Sequence, residues 1–159
     1  MSLEIERKFL VKDLPDLSDK PKETYERYFL YRGGETELRI QKVNGKFELE
    51  RKSETSELGS ETQKFQINKE EFESLKTKSG EAIVRDSFQL SKNPEITIKI
   101  YHGRFQGLVR AEVEFGSEKD ARRFTPLPWM GKEITDTPLG RDSRLLDLSD
   151  EEFKDLLSK

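Results

Sequence analysis

The chain has 159 residues, 38% of them charged and 32% hydrophobic, with 29 basic against 32 acidic side chains and a net charge of −3. That length fits one domain, and the near balance of charge gives no general reason to expect nucleic-acid or membrane binding, so any functional field must be local. The absence of cysteine excludes disulfides and zinc–thiolate centres, and with no leader peptide or membrane-length apolar run visible, a cytoplasmic protein is the expectation.

Period-2 alternation dominates and predicts strands over 3–10, 24–32, 36–42, 46–52, 61–67, 82–90, 95–101 and 107–115, with a further short one at 132–136. Turn chemistry separates them: "RGGE" at 32–35, "VNGK" at 43–46, "KNPE" at 92–95 and "HGRFQG" at 102–107. Asn44-Gly45 is the strongest hairpin signal. Three helices are predicted: "KEEFESLKT" capped by Asn68, "EKDARRF" capped by Ser117, and a segment opened by a Ser149/Glu152 capping box ahead of Phe153, Leu156 and Leu157. The simplest architecture is a single α+β domain over 1–159, with one antiparallel sheet or barrel and a few peripheral helices.

Successive side chains on a strand face opposite ways. Glu4, Glu6 and Lys8 therefore oppose Leu3, Ile5, Arg7 and Phe9. The same split recurs: Glu37, Arg39 and Gln41 oppose Leu38 and Ile40, while Glu48, Glu50 and Lys52 oppose Phe47, Leu49 and Arg51. Thr97, Lys99 and Tyr101 oppose Ile96, Ile98 and Ile100, and Arg110, Glu112 and Glu114 oppose Val109, Ala111, Val113 and Phe115. Any one such face is what the wet side of an antiparallel sheet looks like. Both signs recur on strand after strand, however, and the helices need an apolar sheet surface to cover. A charged face turned inward round a wet tunnel fits as well as a flat solvated one, and alternation alone does not choose between them.

"EIERKF", with Glu4, Glu6 and Lys8, resembles the ExExK signature of the CYTH superfamily, the triphosphate tunnel metalloenzymes. "ELRIQ" at 37–41 is similar to the family's arginine strand, and "LERK" at 49–52 to the strand ending in a tunnel lysine. "GLVRAEVEF" at 107–115 resembles its Gly-Leu…Ala-Glu-Val-Glu strand, and "PWMGKEITDTP" at 128–138 its Pro-Trp-x-Gly-x-Glu-Val-Thr-Asp segment. The resemblance implies an eight-stranded antiparallel β-barrel, a tunnel that binds triphosphate-bearing substrates with Mg²⁺ or Mn²⁺. Relatives include inorganic triphosphatases, thiamine triphosphatases, class IV adenylate cyclases and RNA triphosphatases.

A triphosphate is a chain of anionic oxygens, so its hydrolysis needs charge neutralisation and an in-line water. Lys8, Arg39, Lys52, Arg85 and Arg110 are the expected substrate-binding cations, with Lys8 and Arg39 placed nearest the chemistry. Arginine suits bidentate phosphate contact and lysine acts as a point charge. Glu4, Glu6, Glu112 and Glu114 are the expected metal ligands, since Mg²⁺ and Mn²⁺ take oxygen donors and bridge carboxylate to phosphate. For Glu112 and Glu114, ion pairing with Arg39, Arg85 or Arg110 is the structural alternative. His102 reads as a surface turn residue and Trp129 as a packing residue, while Asp136 fits a turn cap and a functional role equally.

The chain departs from the family's pattern on the inward face. Gln41 stands where a second arginine is usual, Thr62 and Lys64 where Glu-x-Glu is usual, and Ser87 where a base is usual. Lys99 falls at a customary aspartate, and "LGRDSRL" at 139–145 puts Leu139 at a late basic position, with Arg141 or Arg144 as substitutes. The expected partner is inorganic triphosphate or a nucleotide-type triphosphate, either hydrolysed with altered preference or reduced turnover, or bound without cleavage. Adenylate cyclase activity has less support, because no base-recognition pocket can be identified.

Overall fold

In the computed structural model, which describes residues 2–159, each long alternating run becomes a strand. These are β1 (Ser2–Val11), β2 (Lys22–Gly33), β3 (Thr36–Val43), β4 (Lys46–Glu54), β5 (Gly59–Ile67), β6 (Ile83–Lys92), β7 (Glu95–Tyr101) and β8 (Val109–Phe115). The last begins at Val109 rather than at 107 because Gly107 takes a left-handed backbone (φ +107°) after a one-turn 3-10 helix at Gly103–Phe105. Asn44 (φ +50°) and Gly45 (φ +83°) form the tight β3–β4 turn that their dipeptide predicts. The short strand β9 spans Met130–Glu133 instead of 132–136.

All pairings are antiparallel, in the order β5-β4-β3-β2-β6-β7-β8-β1, and β5 also pairs with β1 to close the ring. This closure settles what alternation left open. The sheet is an eight-stranded barrel, with β9 added outside along β1. Register sets Lys8 opposite Glu112 and Glu6 opposite Glu114, and Arg39 opposite Glu50 and Gln41 opposite Glu48. The charged faces point into the barrel and the apolar faces point out.

That inversion explains the helices, which bury the outer faces. Helix α1 (Lys69–Lys76) starts at a capping box between Asn68 and Glu71 and drives Phe72 onto Tyr28, Ile40 and Ile67. Helix α2 (Glu118–Arg123), capped by Ser117, stops one residue before Phe124, whose extended backbone turns its ring onto Phe9 and Phe115. Next come a 3-10 turn at Pro138–Gly140 and a one-turn helix, α3 (Asp142–Leu145), neither of them foreseen. Helix α4 (Asp150–Ser158) has the expected Ser149/Glu152 box and sets Phe153 edge-on against Phe105 at 5.3 Å. Each buried phenylalanine contributes about 1.5–3 kcal/mol of transfer free energy. The single cation on the outer face of β1, Arg7, is fastened by both oxygens of Glu133 and by the carbonyls of Ala121 and Phe124.

Trp129 packs against the cluster round Phe9 and Met130, and the exposed His102 meets Asp86 at 2.9 Å on the surface. Asp136 offers its carbonyl to Arg144. Among the described residues, no helix is long and apolar enough to cross a membrane.

Candidate active site

The inward faces enclose a cavity of about 230 Å³, lined by all nine residues singled out from the sequence: Glu4, Glu6, Lys8, Arg39, Lys52, Arg85, Arg110, Glu112 and Glu114. Of the possible late bases, Arg141 reaches the lining, whereas Leu139 belongs to an apolar cluster and Arg144 lies outside. Sequence reasoning missed three lining residues that carry much of the electrostatics: Arg27, Glu50 as a partner of Arg39, and above all Asp142.

Asp142 is buried, and both of its oxygens are occupied. Oδ2 accepts from Arg27 Nη1 at 3.0 Å and from Arg85 Nε at 3.2 Å. Oδ1 accepts from the Tyr101 hydroxyl at 2.5 Å and from Arg110 Nη2 at 3.3 Å. Burial alone would raise its pKa, but Arg85, Arg110 and Arg27 hold it well below the usual carboxylate range. Glu50 behaves alike: burial opposes its charge, while Arg39, 2.5 Å away, and Arg27 bring its pKa down to about 2. Crowding has the opposite effect on Arg27, whose pKa burial and then repulsion from Arg39 and Arg85 lower to about 10.

Glu112 gives Oε1 to Lys99 at 2.9 Å and Oε2 to Arg110 at 2.8 Å. Despite burial, these cations hold its pKa well below the ordinary value. Lys99 is pulled down to about 7, by burial first and then by Arg85. Lys8 donates to the carbonyl of Gly140 at 2.8 Å and lies 3.3 Å from Glu6, which Lys52 also approaches at 3.7 Å.

Glu114 stands apart. Its pKa is pushed up to about 7, by burial first and then by Glu95, Glu4 and Glu6. The described part of the cavity thus divides into a cation-rich inner end round Asp142 and a carboxylate-rich region round Glu4 and Glu114. Nine basic and nine acidic side chains line it in all, so the tunnel as a whole is close to neutral. A polyanion entering it brings negative charge that the lining does not offset. Among the described residues, no three acidic or histidine side chains are gathered tightly enough to hold an ion as they stand.

Gly140 couples this chemistry to the fold. A Cβ there would lie 2.3 Å from the Ile134 carbonyl oxygen and 2.9 Å from that of Thr135. Both are backbone atoms, so the loop itself must move. Gly140→Ala is expected to lower stability by about 1–3 kcal/mol through overpacking, and to raise KM by displacing the carbonyl that anchors Lys8. Thermal melts and steady-state kinetics check both, and an unchanged melting temperature would show that the loop has room to relax.

No family model matches the sequence. The chain is 31% identical over 136 residues to the inorganic triphosphatase of Nitrosomonas europaea, spanning 84% of this chain and 89% of that protein. It superposes on the solved structure of the inorganic triphosphatase NE1496 with a TM-score of 0.67 and 28% identity, covering 91% of this chain and 95% of that one. A putative adenylate cyclase from Bacillus halodurans shares the fold at a TM-score of 0.56 and 17% identity, covering 77% and 86% of the two chains; that likeness speaks for the fold alone. With a closed barrel, an inward-facing charged lining and a relative of this identity along most of its length, the chain belongs to the CYTH superfamily as an inorganic-triphosphatase-like member.

Proposed function

We propose that the protein hydrolyses inorganic triphosphate to diphosphate and phosphate inside its barrel, with a divalent cation, Mg²⁺ or Mn²⁺. The observation that carries this reading is the convergence of Lys8, Arg39, Lys52, Arg85 and Arg110, from five different strands, on one cavity. In the reaction water attacks the terminal phosphorus, and the bond to the bridging oxygen breaks, leaving that oxygen on the diphosphate. The arginines and lysines hold the phosphate oxygens and neutralise charge as it develops on the leaving oxygen. Rigid positioning favours this, and the ion-pair network supplies it. Among the described residues no buried side-chain polar atom lacks a hydrogen-bond partner.

The acid-rich region fits a hard cation in its chemistry. Glu4, Glu6 and Glu114 offer only oxygen donors, and burial, then repulsion from Glu95, Glu4 and Glu6, already raises Glu114. Glu112 must be released by Lys99 or Arg110 before it can join them. A bound divalent ion supplies charge neutralisation and polarisation of the phosphoryl group, and it would offset the negative charge that the substrate brings to a neutral tunnel.

Inorganic triphosphate is favoured over a nucleotide by the lining itself. Tyr25 contributes the one aromatic ring among the described lining residues, and the Arg85 guanidinium covers that ring at 4.4 Å from its centroid. That leaves no second ring among them to stack a base. The decisive assay is phosphate release from triphosphate with Mg²⁺ and then Mn²⁺, comparing wild type with Glu4→Ala. The variant is expected to lose about 10²–10³ in rate, the scale on which single transition-state stabilisers act. Equal rates with and without metal, or in the variant, would overturn the metal assignment. Thermal stabilisation by triphosphate without phosphate release would make the barrel a binding module.

A further inference from the structure

We propose that Asp142 fixes how many phosphoryl groups the tunnel accepts, its carboxylate standing at the inner end where the next phosphoryl group of a longer chain would lie. This rests on the phosphate-binding reading of the tunnel and adds a limit on chain length to it.

The surroundings of the carboxylate are those of an oxyanion site. Three guanidinium groups from β2, β6 and β8, with the Tyr101 hydroxyl, donate to its two oxygens. Arginine forks of this kind match phosphate as well as carboxylate. The protein has filled this buried cation cluster with an anion of its own. Behind Asp142 the path is shut. Leu139 and Leu145, on either side of it in sequence, are 2% and 0% exposed and pack with Phe29, Ile83, Leu108 and Phe153. Beside it, Arg141 pairs with Glu54 at 3.3 Å across the flank of the same cavity. A phosphate chain entering from the Glu4 and Glu114 region runs along the cations and then meets a fixed negative charge backed by an apolar wall. Triphosphate stops short of it; a longer chain must put a phosphoryl group against a like charge, and such juxtapositions are strongly unfavourable.

The test uses the full chain and the inorganic di-, tri-, tetra- and long-chain polyphosphates, with calorimetric binding measured for all and phosphate release for those longer than diphosphate, in wild type, Asp142→Asn and Asp142→Glu. The wild type is expected to bind and cleave triphosphate about tenfold or more better than tetraphosphate, the scale of a like-charge penalty. Asp142→Asn keeps an acceptor for the arginines, frees their charge, and is expected to bring tetraphosphate close to parity through a lower KM. Asp142→Glu keeps the charge and advances it into the tunnel. It should weaken triphosphate more than diphosphate, and it carries the test if the asparagine variant does not fold. Equal handling of tri- and tetraphosphate by the wild type overturns the proposal. So does an Asp142→Asn variant that loses both substrates in the same proportion, for that is the behaviour of a fold support. Discrimination in binding without any phosphate release would retain the length limit and sink the hydrolytic reading instead.

Discussion

Lys8→Ala is expected to slow triphosphate hydrolysis about 10²–10³-fold while leaving the barrel folded. The ammonium is buried at the centre of β1 and is oriented by two acceptors, the Gly140 carbonyl at 2.8 Å and Glu6 at 3.3 Å. Burial lowers its pKa, and Glu6 and Glu112 work against that fall; in the proposed reaction this group takes a phosphate oxygen. The structural cost of losing it is limited. Glu6 keeps Lys52 at 3.7 Å, and the one acceptor stripped of its donor is a neutral carbonyl, a loss of about 1–3 kcal/mol. Activity and stability should therefore separate. The measurement is kcat and KM for triphosphate at saturating Mg²⁺, with a melting curve on the same sample. A variant within about threefold of wild type, when a single stabilising donor is worth far more, would remove Lys8 from the chemistry.

The strands were legible because both faces obey a period of two, and the hairpin at Asn44-Gly45 and the capping boxes at Asn68 and Ser149 were legible because their signals are local. Closure was not. It depends on β5 meeting β1, with Leu3 opposite Glu61, a pairing across more than fifty residues that no short window encodes. Eight of the nine lining residues were legible because β1, β3, β4 and β8 carry them at alternate positions, whereas Arg85 was read from the family resemblance. Asp142 lies in "LGRDSRL", which has neither strand nor helix period, and the segment was read for a base where the protein places an acid. Arg27 was missed for a related reason: β2 runs Tyr25-Glu26-Arg27-Tyr28-Phe29, so aromatic residues blur its alternation. Its position changes how the departure at Gln41 reads. Arg27 Nε donates to Gln41 Oε1 at 2.8 Å, and the Gln41 amide donates to Glu48 at 2.7 Å. A cation is thus present beside the position where the family pattern led us to expect one, supplied by the neighbouring strand. The cation at Lys99 is likewise paired, with Glu112.

Arg110→Met carries the largest expected loss of stability, about 3–5 kcal/mol, the scale for removing one partner of a buried ion pair. Arg110 is 2% exposed and joins three groups: Glu112 at 2.8 Å, the Leu139 carbonyl at 2.9 Å and Asp142 at 3.3 Å. Methionine fills much of the same volume, so packing changes little and the loss is electrostatic. Two buried carboxylates lose part of their compensation at once. For a chain of this length each kcal/mol moves the melting temperature by roughly 2–4 °C, which puts the expected fall at about 6–20 °C. The same reasoning fixes what a second substitution should do. In Arg110→Met with Glu112→Gln, the charge of one of the two stranded carboxylates is gone while Lys99 keeps an oxygen acceptor at that position, and removing a buried charge left without its partner relieves part of the penalty. The double variant should therefore melt above the single one while hydrolysing triphosphate more slowly than wild type, because the proposed reaction draws on the Arg110 cation. Calorimetry on the wild type, both single variants and the double variant closes the cycle. If the double variant is no more stable than Arg110→Met, the pair contributes through packing and the electrostatic account of the inner tunnel fails. If it recovers, the network of ion pairs is kept at a cost in stability, and what the chain gains is a tunnel in which every fixed cation is already aimed when the substrate arrives.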